Sequence, residues 1–170
     1  VGNHPQVIEY DVNGQFYGWG QAPATVLKDI QERIKYGMSR GIQGFIARTD
    51  WEGVQDVSCF DNPNLINLYG IAAFGKNPDA DFKDIYYRWL SEEGMLRDDL
   101  SPSELKRCLE WIMELFDQTW PIIEKSVYVN GTVFSNDSCL HINLKQPTFI
   151  AETHHSRKNW DEDSEDALTI

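Results

Sequence analysis

Two short extended segments flank one amphipathic helix near the start of this 170-residue chain, and that order leaves few folds open. Residues 7–12, VIEYDV, alternate: Val7, Glu9 and Asp11 face one way, and Ile8, Tyr10 and Val12 the other. From Ala24 to about Arg40 apolar residues return every three or four positions, at Val26/Leu27, Ile30, Ile34 and Met38. Lys28, Glu32, Arg33 and Lys35 stand between them, and Gly41 supplies a stop. Gly44–Trp51, GFIARTDW, is again short and extended. Strand, helix, strand in this order predicts a βαβ crossover with parallel pairing, since no tight turn can join parallel strands.

Two parallel strands do not make a stable sheet alone, and a parallel sheet is covered on both faces. The expectation is therefore an α/β chain. Residues 1–95 would be the closing β-α-β-α portion of a TIM-type barrel, its last two strand–helix units. Residues 96–170 would be a mainly helical, truncated extension, and the whole a fragment of a longer chain that opens on Val1 instead of Met. The alternative is a small self-contained α+β domain.

The later helices are read from their stripes. Pro63 to Phe74 offers Leu65, Leu68, Tyr69 and Ala72 for burial, and Ala80 to Ser91 offers Phe82, Ile85, Tyr86, Trp89 and Leu90. Ser101-Pro102-Ser103-Glu104 is a capping box with proline in the first helical position. The helix behind it runs to about Thr119 with Leu105, Cys108/Leu109, Ile112 and Leu115/Phe116 inward, and Pro121 kinks or ends it. Trp89, Trp111 and Trp120 lie on these stripes and are expected in the core.

Charge narrows the partners. Asp and Glu number 27 against 15 Lys and Arg, a net charge of −12. Phosphate binding needs clustered cations, so neither nucleic acid nor an anionic membrane is expected. No apolar run approaches a membrane span, and no leader region opens the chain. Cys59, Cys108 and Cys139 are too few and too widely spaced for a disulfide framework or a CxxC knuckle. His141, His154 and His155 with Cys139 match no zinc signature. Neither metal nor cofactor is expected, because no nucleotide loop or hydrolase elbow is present.

In a barrel, side chains at the C-terminal ends of the strands line the active site. That places Glu9 and Asp11 at the mouth beside Arg48 and Asp50, which share a face with Ile46. Three acids around one arginine can hold carboxylates in different protonation states, as acid/base chemistry requires. The same residues could equally be a solvated rim. Phe16, Tyr17, Trp19 and Trp51 lie close by in sequence. Aromatic faces stack on sugar rings while acids and amides take the hydroxyls, so the mixture suits a carbohydrate cleft.

VIEYDVNGQFYGWGQAP, GFIARTDW and NPNLINLYGIAAFGKNPDADFKDIYYRWLSEEG together resemble the end of the catalytic barrel of family 67 α-glucuronidases and related glycoside hydrolases. The likeness covers about residues 5 to 95. It implies hydrolysis of a sugar or uronic acid from plant polysaccharide fragments, as in xylan degradation, with inversion by an acid and carboxylate bases. Glu9 matches the glutamate of the family's seventh strand and is the base by carry-over, with Asp11 beside it. Gln15 stands where the family's following turn has glutamate, and an amide cannot act as a base. Ile71 to Lys76, IAAFGK, departs from the family's R-L-A-W block. Substrate binding falls to Trp19, Arg48, Asp50 and Trp51, with Arg48 the positive partner for a uronate. The partners implied are an oligosaccharide and the remainder of the barrel, with room for a homo-oligomer. A non-catalytic carbohydrate-binding or scaffold protein with a degenerate barrel is the alternative.

Overall fold

The computed structural model describes residues 4–13, 22–50, 58–129 and 132–133. The order is β1 (Val7–Asp11), α1 (Leu27–Ser39), β2 (Gly44–Arg48), a 3-10 turn (Cys59–Asp61), α2 (Leu65–Phe74), α3 (Phe82–Glu92), α4 (Pro102–Asp117) and α5 (Thr119–Val127). Two-residue strands β3 (Tyr128–Val129) and β4 (Thr132–Val133) pair antiparallel after α5.

β1 and β2 lie side by side and run the same way, with Val7 opposite Gly44, Glu9 opposite Ile46 and Asp11 opposite Arg48. The ladder is extended at both ends. Gln43 N–H donates to the Gln6 carbonyl at 2.9 Å, and Val12 N–H to the Arg48 carbonyl at 3.1 Å. One face of the pair packs inward, with Val12 fully buried and Tyr10, Phe45 and Ala47 against the core. The other carries Val7 and Ile46, 52% and 59% exposed. Alternation in the sequence thus becomes one covered and one open face.

α1 begins at Leu27, three residues later than its periodicity suggests. The N–H groups of Ala24 and Val26 and the Ala24 carbonyl are taken up by the side chains of Asn64 and Asn67. After α1, Gly41 adopts φ +82°, a left-handed conformation that favours glycine at this stop. α1 and α2 pack closely at Gly70, where an added Cβ would lie 2.3 Å from Leu27 Cδ2.

α2 buries a different face from the one expected. Leu65, Ile66, Asn67, Gly70 and Phe74 are buried, Leu68 and Tyr69 only partly, and Ala72 is exposed. LINLYGIAAF is apolar nearly all round, so spacing alone cannot orient it. α3 follows its stripe, with Ile85, Tyr86, Trp89 and Leu90 buried. Its aromatic side meets α4: the rings of Trp89 and Phe116 lie 5.4 Å apart at 72°, and those of Tyr86 and Phe116 6.1 Å apart at 77°.

The capping box at α4 forms as its sequence predicts. Ser101 Oγ accepts from Glu104 N–H at 3.4 Å, and Glu104 Oε2 accepts from Ser101 N–H at 2.9 Å. Ser101→Ala should lower stability by about 0.5–2 kcal/mol, read as a shift in urea midpoint at unchanged slope. α5 accommodates Pro121 in its first turn, where a missing N–H leaves no helical bond unmade. Two expectations fail on α4. Trp111 is 64% exposed and Leu115 65%, because Leu105, Leu109, Ile112, Met113 and Phe116 form the inward stripe. Trp111 instead carries the Arg107 guanidinium 5.3 Å from its ring centre.

Candidate functional site

The register of β1 and β2 brings the expected charges together on the open face. Glu9 Oε1 lies 3.3 Å from Arg48 Nε, a diagonal contact between adjacent strands, with the Glu9 side chain 59% and the Arg48 side chain 30% exposed. An ion pair this open to water contributes at most about 1 kcal/mol, so stability gives little reason for it.

Asp11 closes a local turn at the strand exit, its Oδ1 accepting from Asn13 N–H at 3.0 Å. Asp50 is exposed just beyond β2. The 3-10 turn is tied to the same end of the sheet, Cys59 N–H donating to the Thr49 carbonyl at 2.8 Å. Burial first, and then the charges of Asp11, Asp50 and Asp61 acting the same way, together push the Cys59 thiol up to about 11. The charges of three carboxylates therefore bear on one buried, neutral sulfur tied to the strand exits.

This arrangement sets a pH dependence. The folded chain holds the Cys59 thiol neutral, against an ordinary value of 9.0. The stability this contributes is full below about pH 9 and lost as pH rises toward about 11. The urea midpoint should fall over that window, and fall less in Cys59→Ala.

Of the residues expected in the site, Glu9 and Arg48 pair across the strands, Asp11 stands opposite Arg48 at the strand exit, and Asp50 lies just beyond β2. Trp19, Trp51 and Gln15 lie outside the described residues, as do Cys139, His141, His154 and His155. Sequence reasoning missed Asn13, Cys59, Asn64 and Asn67. Asn13 is fully buried at the tip of β1, and its side-chain amide has no hydrogen-bond partner among the described residues. Asn64 and Asn67 were legible as polar interruptions of an apolar run, NPNLIN.

Among the described residues, no three or more His, Cys, Asp and Glu side chains are grouped to hold a metal ion. No described helix is long and apolar enough to cross a membrane. A cleft of 690 Å³ lies between α1, α3, α4 and α5, lined by Thr25, Tyr86, Asp117 and Trp120 among others, and among the described residues Glu9, Asp11, Arg48 and Asp50 do not line it. The cleft and the charged strand exits are thus different places. Comparison with protein-family models, with curated proteins and with solved structures finds no match to this chain.

Proposed function

We propose that this chain is a segment of a carbohydrate-active glycoside hydrolase, α-glucuronidase-like, in which β1 and β2 are neighbouring strands of a (β/α)8 barrel. The carrying observation is the open face of the parallel pair. It bears Val7 opposite Gly44 at the strand entries, Glu9 opposite Ile46 midway, and Asp11 opposite Arg48 at the exits. Barrel interiors are graded in this way, packed apolar below and functional at the C-terminal end of the strands.

In this reading Glu9 accepts a proton from the attacking water, and Asp11 and Asp50 shape the polar wall around it. Arg48 answers the substrate carboxylate. Inversion places the general acid ~6.5–9.5 Å from the base, leaving room for water, and that acid would come from an earlier strand. The segment alone is expected to be inactive.

The test is incubation of the complete protein with xylo-oligosaccharides bearing or lacking a uronic-acid branch, followed by proton NMR. Release of the uronic acid with the inverted anomer appearing first supports the reading. A second reading, non-catalytic carbohydrate binding on a degenerate barrel, is favoured by Gln15 at the family's glutamate position. Binding without release decides for it, and neither binding nor release rejects both.

A further inference from the structure

Asn64 and Asn67 are each 1% exposed at the start of α2, one turn apart, among Leu65, Ile66 and Phe74. Buried amides are tolerated only when their hydrogen bonds are made. These two are satisfied by the backbone of a segment some forty residues earlier in sequence. Asn64 Oδ1 accepts from Ala24 N–H at 2.7 Å. Its Nδ2 donates to the Asn13 carbonyl at 3.0 Å and to the Ala22 carbonyl at 3.1 Å. Asn67 repeats the motif further along, its Oδ1 accepting from Val26 N–H at 3.0 Å and its Nδ2 donating to the Ala24 carbonyl at 2.9 Å.

The two amides differ in one respect. Among the described residues the Asn67 side chain hydrogen-bonds only to the entry to α1, whereas Asn64 also holds the exit of β1. The sheet ladder ends at the bond from Val12 N–H to Arg48. Beyond it, Asn13 is held by Asp11 Oδ1 on its N–H and by Asn64 Nδ2 on its carbonyl. Any displacement of Asn13 is therefore passed to the Asp11 carboxylate. Asn64 is itself set in place, its N–H donating to Asn62 Oδ1 at 2.8 Å while Asn62 Nδ2 donates to the Ser58 carbonyl at 2.9 Å.

We propose that Asn64 is a positioning residue that fixes the tip of β1, with Asp11 and Asn13, against the second strand–helix unit, and that Asn67 serves only the α1 entry. The functional half of this inference rests on the strand exits being the catalytic site; the structural half does not. Since the carbonyls it holds belong to backbone, Asn64 acts without touching substrate.

The test is native-state hydrogen exchange, read residue by residue by NMR on the full chain, for wild type, Asn64→Ala and Asn67→Ala. Should Asn64→Ala not fold, Asn64→Ser, whose smaller side chain admits a water, takes its place. The Asn13 amide should exchange about tenfold faster or more in the Asn64 variant after the change in global stability is subtracted, and be unmoved in Asn67→Ala. Equal acceleration in both variants, or none in either, overturns the proposal. In the complete protein, with uronic-acid-branched xylo-oligosaccharide as probe, Asn64→Ala should lower kcat/KM about tenfold more than an Asn67→Ala of matched thermal stability; equal losses overturn the functional half. A wild-type protein that turns nothing over refutes the hydrolase reading and leaves the exchange result to decide the clamp.

Discussion

Glu9→Gln in the complete protein should lower kcat by about 10²–10⁴-fold, the contribution of a positioned general base. The substitution keeps the shape of the side chain and removes only its capacity to take a proton. Folding should barely respond, because the Glu9 carboxylate is largely in water and its contact with Arg48 is long. KM should hardly move if Glu9 acts on the water and not on the sugar. The acidic limb of the pH–rate profile, which reports the base, should disappear with it. A Glu9→Gln enzyme of normal turnover removes Glu9 from the mechanism.

Trp89→Ala should destabilise the chain by about 3–5 kcal/mol. Trp89 is 3% exposed and is the ring through which α3 grips α4, edge-on to Phe116 at 5.4 Å and to Tyr86 at 6.2 Å. Removing the indole forfeits its burial and leaves a void between α3 and α4 beside the remaining Tyr86–Phe116 contact. Loss on this scale is a large part of the stability of an ordinary domain. Urea denaturation followed by circular dichroism reads it directly. Trp111→Ala is the control, since Trp111 is 64% exposed and should change stability by about 0.5 kcal/mol or less. The two tryptophans look alike in sequence, each on an apolar helical stripe, and the pair of measurements separates them.

What could be read from the sequence follows the strength of its local signals. Strand alternation at residues 7–12 fixed which side chains of β1 face the core, since a period of two has only two solutions. The capping box fixed the start of α4 because its partners are three residues apart and need no tertiary contact. Orientation failed where the pattern was ambiguous. α2 is apolar nearly all round, and Asn67, with Asn64 just before the helix, marks the face turned to the entry of α1. On α4 the apolar residues Trp111 and Leu115 sit beside the inward stripe, so periodicity overstated the buried width. The late start of α1 was illegible for a related reason. Ala24 and Val26 are good helix formers by pattern, yet Asn64 and Asn67 claim their backbone from forty residues away.

The candidate site divides in the same way. Glu9, Asp11, Arg48 and Asp50 were nominated because strand geometry is regular and carboxylates at strand exits stand out. Asn13, Cys59 and Asn64 were not, because their part depends on which loop folds back over the strand ends. Cys59 reads in sequence as a buried or incidental thiol, and only its burial together with the charges of three carboxylates gives it a pH-dependent consequence.

The central claim is that the face bearing Glu9, Arg48, Val7 and Ile46 is the inner face of a closed barrel. Ile46→Cys tests it most directly, because position 46 is 59% exposed when β1 and β2 stand alone. Alkylation of that thiol should be fast in the 170-residue chain and at least about a hundredfold slower in the complete protein, where neighbouring strands would cover it. Equal rates in the two proteins would mean that nothing closes over this face, and the barrel account would be contradicted.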